Sequence, residues 1–403
     1  MKCQICGSEE THRFLSLGHQ PPSDSFVTKE QLNEPETYYP LDVYYCAGCH
    51  LVQLGYAVDP EAMFRDYLYT TGANNSLKAS FANLTKHLAE RFNLGQKDLA
   101  VDIGSNDGTL LEGYLPYKIK VLGVEPSTIA EIAKQKGIPT ANEFFNEETA
   151  LKLARENDNA KVITATNVFA HIKDVHSVVR GVKTLLAEGG AFVTESHHLL
   201  SMVTQMQYDS IYHEHLRYYS LKPLIHLFGK HGMEVFDAEL ITTHGGSIRV
   251  YACKKGDHPV SGNVATIISK EEKAGLYTSG AYDQFAKKVT EAKFKLQELL
   301  RDAKKKGRRI VGVGAPAKGS TLLNYCSITR DELDYTVEKS PLKIGRFTPG
   351  THIPIVEEAR MLRDQPEYAL ILSWNIKDEI IPKLRAAGYK GEFIIPCPEP
   401  HVD

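Results

Sequence analysis

Residues 98–108 read DLAVDIGSNDG. Leu99 to Ile103 are almost continuously apolar, the pattern of a strand covered on both faces. Gly104 to Gly108 then form a glycine-rich turn, and TLLEGYL (109–115) reads as a helix. KVLGVEP (120–126) is a second strand that leaves Glu125 at its end. The alternation continues with a helix in STIAEIAKQKG (127–137), a strand in KVITATNVFAHI (161–172), a helix in VHSVVRGVKTLLAEGG (175–190) and a strand in AFVTES (191–196). Strands alternating with helices predict a parallel sheet covered on both faces. MEVFDAEL (233–240) and SIRVYACKK (247–255) read as its closing antiparallel strands.

The turn also indicates a ligand. A glycine turn lets a ligand approach the backbone, and an acid about twenty residues on can accept ribose hydroxyls. Pyrophosphate binders use G-x-G-x-x-G, but here Asn106 replaces the second glycine and Asp107 stands at the helix entrance. An acid there repels a phosphate and suits a cation. S-adenosylmethionine carries a sulfonium, an ammonium and a free ribose, without phosphate. Asp102, Gly104, Asn106 and Glu125 are therefore its candidate contacts, joined by Asn167 of ATNVFAHI.

N-terminal to this unit, Cys3-x-x-Cys6 and Cys46-x-x-Cys49 form two knuckles. Four thiolates close a structural zinc site with no open position for chemistry. The long insert between the pairs must leave and return. Residues 76–95 read as a helix stopped by Gly95, and 270–306 as one long amphipathic helix. The alternation then restarts. VGVGAPAKG (311–319) is a strand and a G-x-G-x-x-A turn whose amides, at Gly314, and whose Lys318 suit a phosphate. Glu338 closes the next strand, and Lys343 and Arg346 add charge for a diphosphate. The expected organisation is an α/β chain. It has a zinc-binding module at 1–62, a class I methyltransferase (Rossmann-like) domain at 63–258, and a C-terminal Rossmann-like domain at 259–403.

The 403 residues carry a net charge of −3, with 42% hydrophobic and 24% charged residues. That balance argues against a nucleic-acid or membrane-surface binder. No apolar run spans a bilayer, and MKCQICGSEE lacks a signal-like apolar segment, so a cytoplasmic protein is expected. A monomer is the expected assembly.

YDSIYHEHLRYYS (208–220) concentrates His213, Glu214 and His215. Without H-E-x-x-H spacing a catalytic zinc pair is not expected. A histidine beside a carboxylate suits proton transfer near neutral pH. With this stretch, DYLYTTG (66–72), THGGSIRV (243–250) and the motifs above, the whole chain resembles the sugar C-methyltransferase family. The resemblance implies three parts: a zinc module, an S-adenosylmethionine domain, and a C-terminal domain that helps bind a nucleotide sugar, TDP-linked in the best-known members. It implies His215 as base, with Glu214 read as its orienting partner and His213 as a neighbour without a proton-transfer role, Tyr212 and a tyrosine of Tyr67-Leu-Tyr69 at the active site, and His171 as a second base. Tyr67 is the preferred active-site tyrosine, with Tyr69 near the substrate. The implied reaction is methylation of the carbon beside a 4-keto group of the sugar. Transfer to oxygen, a nicotinamide-dependent nucleotide-sugar oxidoreductase and a non-catalytic nucleotide-binding protein are the competing readings.

Overall fold

The computed structural model describes residues 1–60, 63, 70–73 and 75–403. The first sheet is built from β1 (Thr11–Gln20), β2 (Tyr39–Cys46) and β3 (Val52–Leu54). The insert between the cysteine pairs is thus largely a hairpin, with Thr11 facing Cys46, and it returns the chain to the second knuckle.

The second sheet holds β4 (Leu99–Ile103), β5 (Lys120–Val124), β6 (Thr140–Ala141), β7 (Ala160–Thr166) and β8 (Leu186–His197). After β8 the chain crosses to the first sheet, where β9 (Arg217–Tyr218) pairs with β3. It then returns as β10 (Met233–Ile241) and β11 (Ser247–Lys254), giving the order β10-β11-β8-β7-β4-β5-β6 with β11 antiparallel to both neighbours. All five residues of β4 are buried, as its apolar run requires.

The third sheet contains β12 (Ile310–Val313), β13 (Thr336–Glu338), β14 (Ile355–Glu357), β15 (Tyr368–Ile371), β16 (Glu392–Ile395) and β17 (His401–Val402), in the order β14-β13-β12-β15-β16-β17. All are parallel except β17.

The stretch read as one helix over 270–306 is two, Gly262–Lys273 and Ser279–Lys305. Amphipathic periodicity runs through the break and hides it. Gly275 adopts φ +76°, its N–H donates to the Glu272 carbonyl, and the Leu276 N–H donates to the Glu271 carbonyl. This is the paired hydrogen bonding of a glycine-terminated helix, and Leu276 is fully buried as its apolar stopper. The first helix buries Val264 and Ile267 in the core of the central sheet. The second packs on β1, and one apolar core runs from Phe14, Leu17 and Val43 through Phe285 and Leu296 to β12 and β15. The zinc module is therefore welded to the C-terminal unit. No helix among the described residues is long and apolar enough to cross a membrane.

Candidate active site

A cleft of about 1600 Å³ opens where the carboxyl ends of β4, β5 and β7 face those of β12 and β15. Ligands of open α/β sheets bind outside these strand ends. The cleft gathers Gly104, Asn106, Glu125, Asn167 and His171 from the central unit, Tyr212, Glu214 and His215 from the crossing segment, and Lys318 and Lys343 from the C-terminal unit. Asp102, Gly314 and Arg346 are not on its wall. Tyr67 and Tyr69 lie outside the described residues.

At the end of the cleft formed by β4 and β5, Gly104 adopts φ +69°, and a Cβ there would sit 2.7 Å from the Val168 side chain. Both carboxylate oxygens of Glu125 are fixed by backbone: Oε2 accepts from the Asn106 N–H and Oε1 from the Ser127 N–H, each at 2.9 Å. Each oxygen keeps a lone pair for a ribose hydroxyl. Apolar Phe144 and Leu151, which sequence reading missed, line the same end while 41% and 44% exposed. Exposed apolar side chains on a cleft wall are its usual signal, and it appears only once the fold is known.

Asp107 does not face a ligand. Burial opposes its charge, but hydrogen bonds from Thr109, the Lys136 ammonium 3.3 Å away and the Gly72 N–H hold its carboxyl below the usual range. It anchors residue 72 over the turn, while the Asn106 side-chain oxygen accepts from the Thr71 N–H. Asp102 is sealed behind the turn. Burial raises its carboxyl to about 7, and the Thr164 hydroxyl donates to it.

His171 and His215 reach the cleft from distant segments. Leu216 N–H donates to the Ala170 carbonyl, and Arg217 donates to the carbonyls of Ile172 and Lys173. These bonds lay the crossing segment along the turn after β7, so the rings of His171 and His215 stack at 4.9 Å. Below them Phe169 is fully buried against Phe192, Tyr219 and Phe228, with ring centroids 5.6–6.0 Å apart. The Tyr212 ring lies 4.1 Å from that of His215.

His215 Nδ1 is 3.1 Å from the Ser210 carbonyl. A carbonyl only accepts, so Nδ1 carries the hydrogen and the neutral ring has its basic lone pair on Nε2. A backbone carbonyl, and not Glu214 as the sequence suggested, makes this orienting contact. That carbonyl is held in turn: the Trp374 indole donates to Asp209 at 2.6 Å, and Thr321 donates to the Ile211 carbonyl. Desolvation pulls His171 down to about 4, so it is neutral at physiological pH. His213 points elsewhere, its Nε2 3.3 Å from the Tyr39 carbonyl.

The second glycine turn differs from its sequence reading. The Ala315 N–H donates to Glu338 at 2.9 Å, so a carboxylate stands where a phosphate was expected. Arg346 lies 3.5 Å from the Phe26 carbonyl. Lys343 donates to the Ala315 carbonyl at 2.8 Å, and Lys318 to Asn375 at 2.9 Å, while both line the cleft.

Beyond the cleft, the thiols of Cys3, Cys6, Cys46 and Cys49 all lie within 4.8 Å of one another. Cys3–Cys49 and Cys6–Cys46 are each 3.5 Å apart. Two thiolates on one tetrahedral zinc sit about 3.8 Å apart, so the donor set fits that ion.

Replacing Glu125 with Ala should weaken S-adenosylhomocysteine binding by roughly 1.5–3 kcal/mol, the scale of charge-assisted hydrogen bonds. Calorimetric titration measures it, and unchanged affinity would remove Glu125 from the ribose site.

Three family models match consecutive parts of the chain: "Putative zinc binding domain" at 3–64, "Methyltransferase domain" at 77–238 and "C-methyltransferase C-terminal domain" at 242–398. The C-methyltransferase NovU of Streptomyces niveus is 34% identical over 404 residues, covering 100% of this chain and 96% of that protein. The uncharacterized methyltransferase YcgJ of Bacillus subtilis (strain 168) is 28% identical over 103 residues, 24% of this chain and 40% of that one. A solved S-adenosylmethionine-dependent methyltransferase of Clostridium acetobutylicum aligns with 44% of this chain and 92% of its own, at 16% identity and a TM-score of 0.36, too low to add weight. On the full-length likeness and the three matched parts, the chain belongs to the C-methyltransferase family, as an S-adenosylmethionine-dependent enzyme with a zinc-binding N-terminal module.

Proposed function

We propose that the protein methylates the carbon beside the keto group of a nucleotide-linked 4-keto sugar, through an enolate. The observation that carries this reading is His215, its Nδ1 held by the Ser210 carbonyl, on the wall of one cleft with Glu125, Lys318 and Lys343. A hydrogen on carbon beside a ketone is weakly acidic, and its removal needs a base held close and in the right tautomer. His215 takes that proton at Nε2, with Nδ1 still bonded to Ser210. The Tyr212 hydroxyl is the candidate donor to the oxygen on which charge develops. S-adenosylmethionine supplies the electrophilic methyl group, and the Glu125 carboxylate holds its ribose. Lys318 and Lys343 give the far wall of the cleft positive charge, which suits the nucleotide diphosphate.

The test is a screen of TDP-, GDP- and CDP-linked 4-keto sugars with isotope-labelled methyl donor, read by mass spectrometry. The label is expected on the carbon beside the keto group. Label on oxygen would replace this reading with O-methylation, and no label from any sugar would remove the sugar.

A further inference from the structure

The segment that carries His215 is anchored at both ends to the central unit. At its start the Gln207 side chain donates to the Gly245 carbonyl at 2.8 Å and accepts from His197 at 2.6 Å. At its end Leu216 and Arg217 bond to the turn after β7. The middle, residues 208–211, is held by the C-terminal unit instead. Asp209 is fully buried, and the Trp374 indole, 2.6 Å away, is the only side-chain donor to its carboxyl among the described residues. Two residues on, the Thr321 hydroxyl donates to the Ile211 carbonyl at 3.1 Å. The Tyr208 ring meets that of Tyr325 at 5.7 Å. Ser210, between Asp209 and Ile211, presents the carbonyl that takes the His215 Nδ1 hydrogen.

The elements that hold this middle stretch also face the cleft. Trp374 opens the short turn Trp374–Ile376 after β15, and Thr321 stands in the helix Ala317–Tyr325 after β12. That helix carries Lys318, whose ammonium lies 5.4 Å over the Trp374 ring and donates to Asn375 beside it. The wall that presents a cation to the cleft thus also fixes the carbonyl behind the histidine.

We propose that Trp374 and Thr321 are positioning residues for His215: by holding Asp209 and Ile211 they set the Ser210 carbonyl, and through it the nitrogen on which His215 keeps its hydrogen. The C-terminal unit thereby takes part in the proton step and not only in holding a nucleotide. That this histidine is the base rests on the function proposed above.

The physical basis is tautomer choice. A neutral imidazole carries one hydrogen, and the hydrogen bond made by one nitrogen decides which of the two holds it. The Ser210 carbonyl selects Nδ1 only while it stays at about 3 Å and in line with the N–H. Two bonds inside the turn, from the Ser210 N–H to the Gln207 carbonyl and from the Ile211 N–H to the Tyr208 carbonyl, shape it but tie it to neither unit. The indole and the carboxyl are both desolvated, so each depends on the other as its partner. Their bond joins positions 165 residues apart.

The test uses the full-length, zinc-loaded enzyme carrying nitrogen-15-labelled histidine. NMR without substrate reads which ring nitrogen bears the hydrogen, and His215→Asn identifies the His215 signals. Wild type is expected to bear it on Nδ1. Trp374→Phe keeps a ring beneath the Lys318 ammonium but loses the N–H, and Thr321→Val keeps the branched shape but loses the hydroxyl. Each should turn the single tautomer into a mixture. Asp209→Asn, whose amide oxygen still accepts from the indole, should keep more of the Nδ1–H form than Asp209→Ala. With a 4-keto sugar, solvent exchange of the acidic hydrogen and kcat should fall about tenfold or more in Trp374→Phe. KM for the sugar and S-adenosylhomocysteine affinity should stay within about threefold, because the displaced group is the base and not a binding contact. A merely structural role would lower the melting temperature without moving the tautomer. Wild type with its hydrogen on Nε2, either Trp374→Phe or Thr321→Val keeping the wild-type tautomer, or equal losses in the two Asp209 variants would overturn the proposal. Absence of exchange and turnover with every 4-keto sugar would overturn the role in proton transfer through the function it rests on. The NMR measurement, which needs no substrate, tells that failure from a failure of the positioning step.

Discussion

His215→Asn is expected to lower turnover by about 10²- to 10⁴-fold, the range attributed to a general base, while leaving S-adenosylhomocysteine affinity unchanged. The asymmetry follows from geometry. Nδ1 is committed to the Ser210 carbonyl, so Nε2 is the basic nitrogen, which in the proposed reaction serves the substrate and not the cofactor. Asparagine fits the space and keeps a polar group, but offers no base. Exchange of the acidic sugar hydrogen with deuterated solvent, measured without methyl donor, isolates the proton step. His215→Asn should stop this exchange. His171→Asn should slow it less, because His171 is stacked on the reacting ring and desolvated, with its basicity pulled down to about 4. A group so weakly basic is a poor proton acceptor at neutral pH, yet as a neutral neighbour it does not repel the imidazolium that forms on His215. If His171→Asn stops exchange and His215→Asn does not, the two roles are reversed.

The central sheet was legible because β4 obeys a local rule: an apolar run, a glycine turn, then an acid at the next strand end. The same rule overreached at Asp107. The sequence shows that an acid follows the turn, but only the fold shows that Lys136, Thr109 and Gly72 already satisfy it. The inference of a methyl donor from that charge was thus made on a residue that does not face the cleft. Glu338 is a similar case, since its bond to the Ala315 N–H depends on two strand ends meeting. The helix break at Gly275 was missed because one glycine in an amphipathic run can be tolerated inside a helix as well as end it. Asp24 was illegible for a different reason. No periodicity or spacing links residue 24, on the cleft wall, to Lys343, 3.9 Å away on a loop of another sheet. Arg217 was missed likewise, because its two carbonyl partners lie more than forty positions away.

Cys46→Ser is expected to release the zinc and, with it, most of the turnover, although no thiol touches the cleft. Structural zinc contributes about 10–16 kcal/mol in zinc-finger peptides at pH 7, far more than a small sheet supplies alone. Cys46 ends β2, and β2 pairs with β3, whose Leu54 N–H donates to the Leu216 carbonyl beside His215. β3 also pairs with Arg217 and Tyr218. The His213 ring rests on the Tyr39 carbonyl at the other end of β2. Loss of the zinc therefore loosens the sheet that fixes the crossing segment from one side, while Ala170 and Trp374 still hold it from the other. A base displaced by about 1 Å can cost roughly 100-fold in rate. The cofactor end should be spared, because Gly104, Asn106 and Glu125 are fixed by bonds within the central unit. Metal analysis should find about one zinc per wild-type chain and none in Cys46→Ser, with the melting temperature lowered. Cys253→Ser, in β11 and outside the cluster, should keep its zinc. The solvent-exchange assay should fall with the zinc while S-adenosylhomocysteine titration does not. A chelated enzyme that keeps both would show that the thiol cluster does not support the His215 segment.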